Sequence, residues 1–244
     1  MSRIKYNIPP LVEVIFQLRF PTILSLNSQS PVVFQEKIRE KYPYYRETTQ
    51  EIRENKPDGQ SRLIRVIKNH EFVSKDRKRK INLEGTFIAF STHSYTVWED
   101  YLSELKEIIE LFESCYNPSF YTRIGLRYVD VIQRSKWGLL ECKWSELIKP
   151  TVLGFMTDET DSYSMNAESK NRDGISSTKY HFELAQINGS TEKVFLIDCD
   201  YFVEKAIERE EFVELSHILH KCSSNFIQAS ITNKLHEAML PVII

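Results

Sequence analysis

Two aspartates two positions apart, Asp198 and Asp200 in KVFLIDCDYF, have the clearest capacity for chemistry in this sequence. In an extended strand, residues i and i+2 share a face, so both carboxylates point one way while Phe195, Ile197, Cys199 and Tyr201 point the other. Paired carboxylates supply the oxygen ligands that Mg²⁺ favours, and such sites run phosphoryl-transfer and nuclease chemistry. That chemistry also wants a lysine or a third carboxylate, and Asp130 and Glu183 are available in the sequence. The commoner fate of such a pair is solvation on a strand face.

Arg123 and Arg127 flank Gly125 in the alternating segment FYTRIGLRYVDVI. Four residues along a strand separate two guanidinium groups by about 13 Å, too far to share one phosphate unless the side chains converge. They are suited to gripping a phosphate-rich ligand or to pairing with carboxylates on a neighbouring strand, Glu13 among them. Arg123, Arg127, Asp130, Asp198 and Asp200 together form the candidate ligand or partner site. A second candidate is Lys75, Arg77, Lys78, Arg79 and Lys80, five cations within six positions. Such a tip between two strands can bind phosphate oxygens of a nucleic acid, helped by Arg62, Arg65 and Lys68 if their strand turns them outward; otherwise it is a solvated loop.

His217 and His220 have the i, i+3 spacing that can ligate a metal from a helix, but the helical wheel turns both away from the apolar stripe and no HExxH accompanies them. No GxSxG elbow, GxxxxGK[ST] or GxGxxG occurs, and seven scattered glycines could hardly build a phosphate cradle. No cofactor or metal is implied.

The elements that must position these residues follow from periodicity. Residues 11–20 alternate with Val12, Val14, Phe16, Leu18 and Phe20 on one face, bounded by Pro9, Pro10 and Pro21, which predicts a half-buried strand. A short helix over 32–41 precedes a meander of strands between 62 and 93. Thr96, three residues before Glu99, reads as a capping box for a helix whose apolar stripe runs from Trp98 to Cys115. Strands are expected at 120–132, 158–169, 179–187 and 193–202, the last two joined through an Asn188-Gly189 turn, and a long helical region closes the chain. The order, β-α-βββ-α-β then βββ-α, predicts an α+β fold of antiparallel sheets with packed helices, with the form of a degenerate duplication. Halves 1–135 and 136–244, packed as one unit, are the expected division. The closing helical region carries Phe212, Leu215, Leu219, Cys222 and Phe226, then Ile227, Ile231, Leu235 and Met239, a drifting band that one sheet is not expected to cover fully.

The chain of 244 residues has 32 basic and 34 acidic side chains, a net charge of −2, so it has no overall attraction for nucleic acid or anionic lipid, and any such binding must be local. No apolar run is long enough to span a bilayer, and Glu13, Gln17 and Arg19 interrupt the first apolar segment, which predicts a cytoplasmic protein with no membrane partner. Cys115, Cys142, Cys199 and Cys222 are spaced 27, 57 and 23 residues apart, without a CxxC pair, and read as buried thiols.

The early Tyr6, Pro9-Pro10 and Glu13, then Arg123 to Asp130, Phe195 to Asp200 and the late Ile231-Thr232 resemble, in the same order, a sporadically distributed family of uncharacterised bacterial proteins of about 250 residues. The resemblance brings no catalytic or ligand residues. It implies a stand-alone accessory protein with the patchy occurrence of mobile, defence or toxin–antitoxin genes. The expectation is a non-enzymatic protein-interaction module, an adaptor, immunity or antitoxin-like component of a bacterial accessory system, with a protein partner or a second copy of itself. The alternatives are a metal-dependent nuclease or phosphoryl-transfer enzyme, or a nucleic-acid-binding module using the loop 75–80.

Overall fold

Apolar alternation and helical stripes resolve, in a computed structural model that describes residues 4–55, 61–187 and 189–243, into seventeen regular elements among those residues. In chain order they are β1 (Ile4–Tyr6), β2 (Leu11–Arg19), α1 (Ser25–Ser28), α2 (Val32–Ile38), β3 (Tyr44–Asn55), β4 (Ser61–Val73), β5 (Arg79–Glu84), β6 (Phe87–Thr92) and α3 (Trp98–Tyr116). There follow β7 (Tyr121–Ile132), α4 (Pro150–Leu153), β8 (Tyr163–Lys170), β9 (Ser177–Gln186), β10 (Lys193–Ile207), α5 (Phe212–Ser230), α6 (Asn233–Ala238) and β11 (Pro241–Ile243). Helices with antiparallel sheets make this an α+β fold.

The chain divides by compactness into two units, each assembled from separate stretches. The first comprises Met1–Val14, Leu126–Val203 and Glu214–Ile244; the second comprises Ile15–Gly125 and Glu204–Val213. The boundaries fall inside β2, β7, β10 and α5, and position 135 lies within the first unit.

In the first unit the neighbouring strands run β2, β7, β10, β9, β8, and β1 pairs with β11 in a separate two-stranded sheet. One face of the larger sheet is covered by α5: the rings of Tyr180 and Phe182 lie 5.1 and 6.1 Å from that of Phe226. Phe195, Leu219, Leu235 and Met239 are fully enclosed there. The closing helical region is broken, because Ile231 forms a bridge with Ile148 and the Thr232 hydroxyl caps α6 by accepting from Leu235 N. That break folds Ile231, Leu235 and Met239 inward, so this part of the apolar band is covered by the chain itself, contrary to expectation. His220 also departs from the helical-wheel reading: its Nδ1 lies 2.8 Å from the Tyr128 hydroxyl of β7, while His217 is exposed. Cys199 alone is buried; Cys115, Cys142 and Cys222 are partly exposed free thiols.

In the second unit the strands run β3, β4, β5, β6, β2, β7. Val14 of the first unit aside, the inward positions of β2 behave as the alternation requires, with Phe16, Leu18 and Phe20 buried; Val12 at the start of the strand is exposed. Against the second unit's sheet lies α3, with Leu105, Ile108 and Phe112 buried, the Phe112 ring 4.9 Å from Phe20 and the Tyr101 hydroxyl donating to Phe90 O at 3.1 Å. Thr96 does not cap this helix: the N-cap position is Val97, and the Thr96 hydroxyl donates to the Asp100 carboxylate instead. Asn117 closes the helix in the left-handed conformation, φ 43°.

The largest departure is β3. It pairs with β4 from Tyr44↔Val73 to Asn55↔Ser61, and the start of the expected meander, up to Val73, is the single long strand β4. Only His70 to Val73 of β4 pair with β5, so the rest of β3 and β4 forms a two-stranded ribbon. With most of its residues facing solvent, the β3 segment YYRETTQEIREN has no apolar alternation to announce it.

Candidate functional site

Alternation along β7 and β10 decides which candidate residues meet. On β10, Asp198 and Asp200 point away from α5, while Phe195, Ile197, Cys199 and Tyr201 point toward it; Asp198 is nonetheless buried and Asp200 half-buried. On β7, Arg127 lies on the same side as the aspartates, and its guanidinium grips Asp198 with both arms: Nε donates to Oδ1 at 2.6 Å, and Nη2 donates to Oδ2. The fork matches the carboxylate geometry, which is why arginine makes such pairs better than lysine does. The bond to Asp198 holds the Arg127 pKa above its ordinary value against the effect of burial, and the charges of Asp200 and Glu13 add to it.

Register extends this pair into a polar row. Asp198 stands opposite His181 of β9, and His181 opposite Asn166 of β8. The His181 ring nitrogens lie 3.0 Å from Asn166 Oδ1 and 3.1 Å from Glu183 Oε2. One step along, Asp200 faces Lys179, which faces Glu168. Glu183 is thus on the same face as the aspartates. His181, Lys179 and Asn166 were not singled out from sequence; period-two alternation in STKYHFELAQ puts Lys179, His181 and Glu183 on one side, but only the register brings them beside Asp198.

Asp130 does not join this group. It is three residues from Arg127 on the strand and therefore on the opposite face, the one carrying Tyr128 beneath α5. There it is buried, and desolvation, reinforced by the Asp198 charge, pushes its pKa up to about 7. The same burial raises the Cys199 thiol and the Tyr201 hydroxyl, with the Asp130 charge adding to both. Tyr6, raised by burial and by Asp130, reaches His236 Nδ1 at 2.9 Å.

Arg123 belongs to the second unit. Its side chain is buried and folds over Gly125, where an added Cβ would meet the guanidinium at 2.3 Å, and Nη1 donates to Gln17 Oε1 at 3.3 Å. The space beside Gly125 is therefore taken by Arg123 itself, and no room is left there for an approaching ligand group.

The basic tip lies in the turn between β4 and β5. Asp76 organises it, accepting from the Ser74 hydroxyl at 2.7 Å and from Lys78 N at 3.0 Å. Arg79 bonds Glu104 of α3 at 3.1 Å, Lys80 reaches Glu71 at 3.6 Å, and Arg77 lies 5.1 Å above the Tyr44 ring. Arg79, Lys75 and Lys41 share an open groove of about 560 Å³ with Asp100, Glu104 and Glu107. Cations and carboxylates thus alternate around it, with Lys41 bonded to Glu107 and the Tyr42 hydroxyl donating to Glu104. Among Arg62, Arg65 and Lys68, which were considered with this tip, Lys68 pairs with Glu47 at 3.1 Å, Arg62 is exposed on the ribbon, and the Arg65 side chain lies outside the described residues, as does Asn188.

Among the described residues, no three His, Cys, Asp or Glu side chains are grouped to hold a metal ion, and no helix is long and apolar enough to cross a membrane. Neither a protein-family model nor a curated protein matches the chain.

Proposed function

We propose that this protein is a non-enzymatic protein-interaction module, an adaptor, immunity or antitoxin-like component of a bacterial accessory system, and that the β3–β4 ribbon is its contact element. The observation that carries this reading is the ribbon itself. A two-stranded ribbon is marginal in water unless something packs on it, and this one presents Ile52, Leu63 and Ile64 to solvent, Ile64 at 60% exposure. The charged candidate residues support the same reading, because Arg127, Arg79 and Lys80 are engaged by Asp198, Glu104 and Glu71. A carboxylate held by both arms of a guanidinium has little left to offer a metal ion.

A photo-crosslinking residue at Ile52, introduced into the full chain in the cells that produce it, tests this. The expected result is a discrete protein adduct at Ile52 and none at Leu140, which is exposed but lies outside the ribbon. Adducts at neither position, or equal labelling at both, would overturn the reading.

A further inference from the structure

We propose that the occupant of the ribbon is a second copy of this chain, bound antiparallel along the outer edge of β3 with Gln50 on the two-fold axis. This rests on the reading above and gives its partner an identity.

β3 is the terminal strand of its sheet, with β4 on one side and, among the described residues, no strand on the other. Its outer edge is a row of backbone donors and acceptors 12 residues long, the kind of edge that pairs with another chain unless it is bent or blocked. The single irregularity in its pairing adds no residue to β3 itself. Register steps from Ile52↔Arg65 to Arg53↔Leu63, so the extra residue of the bulge, Ile64, belongs to β4.

The charges on this edge are self-complementary in one register. Residues 46–54 read RETTQEIRE, and reversing the segment about Gln50 sets Arg46 against Glu54 and Glu47 against Arg53 of the second copy. The two-fold repeats each pair, giving four opposed ion pairs across one interface, while Ile52 comes opposite Thr48 and loses its exposure. Slipping the pairing spoils the match each time. A shift by one residue opposes Arg46 to Arg53 in one direction and Glu47 to Glu54 in the other; a shift by two opposes Glu47 to Glu51 or Glu51 to its own copy. Like charges directly opposite on paired strands destabilise, so the pattern selects its own register. Arg46, with its side chain 67% exposed, is accessible despite its in-chain bond to Glu71, and Glu47 and Arg53 enter the interface already bonded to Lys68 and Glu51 of their own chain.

Sedimentation velocity on the full chain tests this with two variants. Arg46→Glu sets Glu against Glu54, and Glu54→Arg sets Arg46 against Arg; each is expected to raise the dimer dissociation constant at least tenfold. Mixed in equal amounts, the two variants oppose opposite charges again, and the dimer is expected to return as a heterodimer. This rescue separates interface repulsion from damage within one chain. A monomeric wild type, a Glu54→Arg variant as dimeric as wild type, or a mixture that stays monomeric would overturn the proposal. If wild type is monomeric yet Ile52 crosslinks to a different protein, the second-copy inference falls and the interaction-module reading stands.

Discussion

The two faces of the first unit's sheet treat the same residue type in opposite ways. Asp198, on the face away from α5, is as buried as Asp130, at 8% exposure each, yet has both carboxylate oxygens bonded to Arg127. Asp130, three residues from that arginine but on the face beneath α5, is buried among Cys199, Tyr201 and Tyr6 and holds its proton to about pH 7. Burial does not separate the two; the Arg127 guanidinium does, and strand parity gives it to Asp198 and denies it to Asp130. The lesson is that a cluster of polar residues in sequence is not a site until parity and register have assigned each member to a face.

The comparison is tested most severely by removing the packing that makes one face an interior. Phe195→Ala is expected to cost about 3–5 kcal/mol in urea unfolding, because a fully enclosed ring leaves a cavity that its neighbours only partly fill. His181→Ala, at a partly exposed position on the opposite face, is expected to stay within about 0.5 kcal/mol. Equal effects would mean that the faces do not differ as described.

Next in size is the pH dependence tied to Asp130. Its folded pKa of about 7 lies above the ordinary 3.8, so between those values the folded state binds more protons than the unfolded one and stability falls as pH rises. Below about pH 4 the two states are protonated alike and no penalty operates; above about pH 7 the penalty is complete. Asp130→Asn should remove this slope and be more stable than wild type at pH 8, by at most about 4 kcal/mol. Thermal melts of both proteins from pH 4 to 8 check the prediction, and parallel profiles would place the titration elsewhere.

The smallest expected effect belongs to the Arg127–Asp198 pair. A double-mutant cycle with Arg127→Met and Asp198→Asn should give a coupling of about 1–2 kcal/mol that shrinks with added salt. The two-armed geometry strengthens the bond, while the Arg127 side chain, 46% exposed, keeps it partly screened. No measurable coupling would show that the geometry alone stabilises nothing.

Much of the fold is legible in the sequence where burial imposes a period. β2, α3, β7 and β10 follow their apolar residues because each has one face in a core. β3 escapes for the opposite reason: its polar residues face solvent along most of its length, so nothing selects apolar residues at alternate positions. The break between α5 and α6 escapes too, since the apolar stripe continues through Ile231 to Met239 and only the bridge to Ile148 reveals the turn. Of the candidate site residues, Asp198 and Asp200 share a face as i, i+2 spacing requires, and Arg127 meets Asp198 as a carboxylate partner on a neighbouring strand. Glu13, the other conceivable partner, adds its charge to Arg127's surroundings.

The sequence by itself determined the α+β class, the parity of each buried strand and the charge pattern of RETTQEIRE, because these depend on residue order and on the 2.0 and 3.6 periods of the backbone. Only the tertiary structure decided that Arg127 meets Asp198, that Arg123 covers Gly125, that Asp130 is dehydrated and that β3 lies at an edge. Each of these depends on strand order and register between segments far apart in the chain. Local periodicity carries no record of either, since the same alternation serves an edge strand and a central one.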